Sequence, residues 1–263
     1  MPKVIVERRG PVCDIRLNRP ELLNAVDRET IAALAAAAAD AAEDRGARVV
    51  LLRGEGAHFC AGGDITKFGE LIRLPPEERR KVLYQTVDAL HPLLVRLRHM
   101  PKPVVAAVQG AAAGFGLSLV LAADLALAAE DAVFTCGYIH LGASPDGGMT
   151  TTLPAMVGLK RATELMLLGE RFDAVRALEL GIVNRIVAPD RLVAEAEALA
   201  ERLAAGPSEA QARTKGLIQA SLGEAFDAQL RREAENFAAC AATDDFAEGV
   251  RAFLDKRRPA FTG

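Results

Sequence analysis

A chain of 263 residues, 51% of them hydrophobic, holds enough apolar material for one large core without metals or disulfides. Its net charge of −3 supplies no global field for a nucleic-acid backbone, which excludes nonspecific DNA or RNA binding as its role. Cys13, Cys60, Cys136 and Cys240 stand far apart with no Cys-x-x-Cys spacing, so they read as reduced core thiols and not as a disulfide scaffold or a zinc site.

The first ten residues, MPKVIVERRG, pass straight into strand-like alternation without the apolar core of a signal peptide, and no stretch has the long uncharged run of a membrane span. The expectation is a soluble cytoplasmic protein. Residues 4–6 and 12–17 predict a hairpin ended by Asn18-Arg19-Pro20. An Ala-rich helix follows over 28–44 with Asp27 as candidate N-cap, then a short apolar strand at 49–52. Behind that strand lies GEGAHFCAGGDITKF, a loop with four glycines in which Asp64 can cap the next helix. A Pro-containing section, 73–79, breaks that helix, and a longer one runs to about His99. Pro101 and Pro103 lead into a buried strand, 104–108, which continues through Gln109-Gly110 into an apolar helix opening near Gly114-Phe115-Gly116.

That last junction is built to hold negative charge. Gly114 and Gly116 let a ligand oxygen approach the Phe115 amide, and the helix behind adds the positive end of its macrodipole. Tight packing of a helix on a sheet would use the same small residues. Strands at 125–129 and 132–136 precede a third loop, GYIHLGASPDGGMTTTLPAMVG, which again runs into a helix. Short helices at 161–168 and 174–180 flank Gly169, and an extended segment, 183–187, follows. Beyond residue 190 only helices are predicted, at 191–205, 208–220, 224–242 and 245–256. The fold class is therefore α/β, with 1–189 carrying sheet and site and 190–263 a helical region of the same domain.

If the repeated strand-loop-helix units stack in parallel, the right-handed crossover rule sets their loops along one edge. Gly63 and Phe115 then offer backbone N–H donors, and Asp146 offers a carboxylate. Two donors and one carboxylate are the minimum for proton abstraction next to a carbonyl: the donors stabilise an enolate oxygen while the carboxylate moves the proton. An exposed aspartate, with a pKa of about 3.9, is a feeble base, so the chemistry needs an apolar pocket to raise it. Asp146 in its Pro-Asp-Gly turn also fits the N-cap of a helix beginning near Gly147.

Phe59-Cys60-Ala61-Gly62-Gly63-Asp64-Ile65 resembles the F-x-A-G-x-D-[IL] loop of the enoyl-CoA hydratase/isomerase (crotonase) superfamily. Residues 103–124, with Gln109-Gly110 and Ala113-Gly114-Phe115-Gly116, resemble its second motif, and the likeness extends from LNRPELLNAV through LMLLGERFDAVRALELGIVNRIV to FLDKRRPAF near the end. It implies a spiral of ββα units, a C-terminal helical trimerisation region, and a thioester substrate carried on coenzyme A, with no tightly bound cofactor. It also implies an oxyanion hole from the amides of Gly63 and Phe115, with Ala61, Asp64 and Ile65 lining the adenine and pantetheine path beside Leu22 and Leu23. Phe253 and Lys256 become contacts to the CoA adenine and phosphates, and the assembly a homotrimer or dimer of trimers.

The chain departs from the hydratases of that family, which add water with two glutamates. Ser118 and Tyr138 stand in those two positions, so no carboxylate pair is left to orient a water. Ser144-Pro145-Asp146-Gly147-Gly148 instead resembles the element of members that isomerise double bonds or ring-epoxide CoA thioesters in phenylacetate breakdown. A double-bond isomerase with Asp146 as sole proton shuttle is the leading expectation, an enoyl-CoA hydratase the alternative, and a non-catalytic scaffold of the same fold the second. Asp64 reads as a cap, and Cys60 and Cys136 as core; Tyr138 and His140 lie close enough to the site to tune it but read first as hydrogen-bonded packing residues, and neither as the base. Phe68, Leu71, Leu117 and Leu141 fit either an acyl pocket or ordinary core.

Overall fold

The computed structural model describes residues 1–206, 208–221, 234–235 and 237–259. Its main sheet runs β1(Val4–Arg9), β2(Val12–Leu17), β3(Val49–Gly54), β4(Val104–Val108), β6(Leu125–Ala129), β9(Arg185–Val187). Only the first pair is antiparallel; every other neighbour is parallel. Parallel strands are covered on both faces and so read as continuous apolar runs, as β3 and β4 do, with every residue buried. The pleat sorts them. Val49, Leu51, Val105, Ala107, Leu127 and Ala129 meet Leu192, Ala196, Leu199 and Ala200 of α9(Leu192–Ala204). Val50, Leu52, Val104 and Ala106 point the other way, into a core shared with α1(Arg28–Glu43), α4(His91–His99) and α5(Phe115–Ala122).

After β4 and again after β6 the chain adds a short strand to a second sheet, β5(Ala111–Ala113), β7(Val133–Thr135), β8(Phe172–Asp173), before turning into helix. The path is thus the spiral of ββα units that the resemblance implies. The turns after β3, β4 and β6 leave from one edge, because these three strands are parallel neighbours in one sheet.

Most predicted elements stand where the pattern set them. Asp27 caps α1, its side chain accepting from the Thr30 N–H at 2.8 Å. Four differ. β1 continues through Glu7 to Arg9, so the hairpin turn shrinks to Gly10-Pro11. α2(Ile65–Leu71) is followed by a helix, α3(Pro76–Asp88), that begins inside the stretch read as a break, since proline at a first helical turn forfeits an N–H that has no partner there. The single long helix expected up to His99 is two, because Pro92 has no N–H for the carbonyl of Asp88 and its ring crowds that turn; the chain breaks at Ala89-Leu90 and resumes as α4. The helix expected near Gly147 is α6(Met149–Val157).

α7(Leu159–Leu168) and α8(Ala174–Glu179) then lead to β9, and α10(Ser208–Ser221) follows α9. The helix expected over 224–242 lies mostly outside the described residues; 234–235 and 237–241 of it are helical. A last helix, Asp244–Leu254, is capped by the Thr243 side chain and packs on α2. Among the described residues no helix is long and apolar enough to cross a membrane, and no group of side chains is placed to hold a metal ion.

Candidate active site

The loop behind β3 is tied down on both sides. Cys60 donates its N–H to Ala111 O at 2.9 Å and accepts from Ala113 N at 3.0 Å, which lashes the loop to β5. Val26 N–H donates to Gly62 O at 2.8 Å, and Asp64 N–H donates to Val26 O at 2.9 Å. In such a parallel bridge the residue between the two bonded groups turns its own amide away, so the N–H of Gly63 faces outward. Phe115 is the first residue of α5, where an amide has no intrahelical acceptor. Among the described residues neither N–H donates to a protein acceptor.

Glycine brings the two amides together. A Cβ on Gly116 would lie 2.0 Å from Cys60 O, and one on Gly62 would lie 3.6 Å from Phe115 N and 2.8 Å from Ala113 O. Backbone meets backbone here, with no room for a side chain between.

Asp146 arrives from the third loop, 5% exposed. It is not the cap that a Pro-Asp-Gly turn invites: the N-cap of α6 is Gly148, with no side-chain cap bond. Its carboxylate instead accepts from the Tyr138 hydroxyl at 2.6 Å, and Ser118 Oγ donates to its backbone carbonyl at 3.2 Å. A Cβ on Gly147 would lie 2.7 Å from Ser118 Oγ and 3.3 Å from the Phe115 ring, which sets Asp146 beside the opening turn of α5. Burial pushes the carboxyl up to about 6, against the Tyr138 hydrogen bond, which pulls it down. Aromatic rings close the neighbourhood: Tyr138 meets Phe237 edge-on, and Phe237, Phe246 and Phe68 stand 6.0–6.1 Å apart. Phe68 reaches back over the first loop, its Cζ 3.0 Å from where a Cβ of Gly63 would be.

The residues expected along a CoA path fall in two groups. Leu22 and Leu23 are partly exposed, and Ala61 donates its N–H to Leu23 O at 3.0 Å, so these three adjoin the first loop. Ile65 opens α2 beside them. Asp64 is buried and fully engaged: it caps α2 through Thr66 and pairs with the Arg19 guanidinium at 2.9 Å. Burial raises its carboxyl, but those hydrogen bonds outweigh burial and leave it below its ordinary value. Phe253, 57% exposed, and Lys256 come with the last helix, which packs on α2 through Leu254 against Gly69.

His140 is turned to Gly169 O and not to Asp146. Burial pushes the Cys60 and Cys136 thiols up to about 12, which removes both as nucleophiles at neutral pH. Phe68 joins the aromatic wall, while Leu117 is wholly buried in the core. Sequence reasoning set Tyr138 near the site as a residue able to tune it but ranked it first as packing, and it passed over Arg19, Phe237 and Phe246. For Tyr138 a signal was there: the family resemblance sets it where hydratases carry a glutamate.

Two unpaired amides and one buried carboxylate of raised pKa are chemically suited to moving a proton next to a carbonyl whose oxygen carries negative charge. A family profile described as enoyl-CoA hydratase/isomerase matches residues 7–263. The chain is 37% identical to the 1,2-epoxyphenylacetyl-CoA isomerase of Escherichia coli K12, over 96% of this chain and 95% of that one. It is 34% identical to the 2,3-dehydroadipyl-CoA hydratase of the same organism, over the full length of both. An enoyl-CoA hydratase structure from Mycobacterium avium subsp. paratuberculosis K-10 superposes with a TM-score of 0.89, 34% identity and 99% of each chain covered.

Proposed function

Because the chain belongs to the enoyl-CoA hydratase/isomerase family of acyl-CoA enzymes, we propose that it shifts the double bond of an enoyl-CoA thioester, with Asp146 as the only proton carrier. The thioester oxygen accepts from the amides of Gly63 and Phe115. The Asp146 carboxylate removes a proton from C2 of a 3-enoyl-CoA, the electrons pass into a dienolate held by the two amides, and the same proton returns at C4 to give the conjugated 2-enoyl-CoA. Leu22, Leu23, Ala61, Asp64, Ile65, Phe253 and Lys256 belong to the CoA path in this reading, Asp64 by fixing the loop rather than by touching ligand.

One observation carries it. The buried carboxylate is spared from capping and accepts from the Tyr138 hydroxyl, while the family resemblance sets Ser118 and Tyr138 at the positions of the two glutamates with which hydratases activate water. A single carboxylate suffices to carry a proton between two carbons but leaves no partner to orient a water.

The test is a paired assay with a trans-3-enoyl-CoA and a trans-2-enoyl-CoA, the products separated by chromatography. Conjugated product from the first and little 3-hydroxyacyl-CoA from the second is the expected result, with turnover in D146N lower by about 10²–10⁴-fold. Rapid hydration would make the protein a hydratase with another means of activating water. No thermal shift with any acyl-CoA would leave a scaffold, since a ligand bound only by the folded state must stabilise it.

A further inference from the structure

A carboxylate that must collect a proton at one carbon and deliver it at another needs one oxygen aimed and the other held. Tyr138 donates its hydroxyl to Oδ1 of Asp146 at 2.6 Å, the short separation of a hydrogen bond to a charged acceptor, and both side chains are buried. Oδ2 accepts no hydrogen bond among the described residues. The phenol is itself fixed: its ring meets Phe237 edge-on with centroids 6.4 Å apart, its backbone N–H donates to Cys136 O, and its carbonyl accepts from Ala143 N. A Cβ on Gly114 would lie 3.8 Å from the hydroxyl, so Tyr138 stands between the turn that presents the Phe115 amide and the carboxylate.

Among the described residues nothing else around Asp146 competes for the role. α5 and α6 carry no titratable side chain. Across the first loop Cys60 is a neutral thiol and Asp64 is bound by Arg19; on the third loop Cys136 is a neutral thiol and His140 faces Gly169. On α2, Lys67 is paired with Glu70. On the last helix, which packs against the turn holding Tyr138, Glu248 is bound by Arg257, and its sequence also carries Asp244, Asp245 and Arg251. From α3, Arg79 lies over the Phe246 ring, and on α7 Lys160, Arg161 and Glu164 are exposed or nearly so.

We propose that Tyr138 is the positioning residue of the proton shuttle: it anchors Oδ1 of Asp146 and so assigns both proton transfers to Oδ2. The inference rests on Asp146 being the base. The phenol keeps its own proton throughout; the travelling proton passes from C2 to Oδ2 and on to C4. The same bond favours the ionised carboxylate, so the base is ready at a lower pH than burial alone would permit.

The experiment uses the two tyrosines, Tyr84 and Tyr138, and the absence of tryptophan. In Y84F, Tyr138 is the sole near-ultraviolet phenol, and its absorption band should shift as Asp146 titrates, with a midpoint near 6 that vanishes on adding D146N. In Y138F the acidic limb of the kcat profile should move up by roughly one to two units, about a fivefold to fiftyfold loss at pH 6 that recovers at high pH, with KM little changed. A Y138F profile superimposable on that of the native protein, or a Tyr138 band blind to pH between about 4 and 8, overturns the proposal. The band is read without turnover, so it decides even if Y138F does not fold. Undiminished turnover in D146N would instead overturn the assignment of the base.

Discussion

At Asp146, function and stability pull in opposite directions. The group is held near 6 in the folded chain against an ordinary 3.8. Below the unfolded value both states are protonated and burial costs nothing through ionisation; as pH rises through 6 the folded state must carry a buried charge, and stability is lost. The difference of about two units corresponds to a cost on the order of 3 kcal/mol, fully present at pH 7. D146N is therefore expected to melt above the native protein at pH 7, with the gap closing as pH falls toward 4; a gap independent of pH in a calorimetric series would contradict it. Residue chemistry alone did not separate base from cap here, because a Pro-Asp-Gly turn serves both, and only the path of the chain across to Tyr138 shows which groups meet. Asp27 was legible for the opposite reason: its hydrogen-bond partner, Thr30, is three residues away.

Among the elements, α5 is the one whose placement admits least change. Alanine at position 116 would gain about 1 kcal/mol in helix propensity, yet its Cβ would sit 2.0 Å from the Cys60 carbonyl, and neither backbone can yield without breaking the bridge from Cys60 to Ala112. The clash dominates, and G116A is expected to lose at least about 2 kcal/mol of stability in urea unfolding, together with turnover. The main-sheet strands and most helices were legible because their periodicity is local, whereas β5 and β8, three and two residues long, are too short to show any. The division of α3 from α4 was not legible either, since a proline within a helical pattern marks a boundary only once the preceding turn is known; Pro76 and Pro92 both sit in the first turn of a helix, and only the first of these starts was marked by a polar break. The aromatic wall was hidden for a similar reason, as Phe68, Phe237 and Phe246 meet only across the folded chain.

For the molecule as a whole, the sheet is sealed on both faces, but an apolar surface remains outside. Leu159, Leu167 and Val175 of α7 and α8 are 73%, 64% and 58% exposed, with Leu168 and Leu178 near them in the chain. That much greasy surface on two consecutive helices suits a buried interface better than solvent. A homotrimer or a dimer of trimers is the proposed assembly. Light scattering is expected to give a multiple of the chain mass, and L159D with L167D to lower it; a monomer at micromolar concentration would refute the proposal.

One more consequence follows from the parallel pairing of β3, β4 and β6. The two amides and the carboxylate stand downstream of these three neighbouring strands, at residues 63, 115 and 146, and their common level depends on the register of Val50 on Val104 and Val105 on Leu125, with the bridge of Cys60 to Ala112 and the pairing of β5 with β7 fastening the loops on top of it. A slip of two residues would keep every apolar face correct and still carry one loop about 6–7 Å from the others. Turnover is thus a reading of strand alignment. After dilution from denaturant, helical signal should return early and catalysis only with the slowest phase, when distant strands have found their partners.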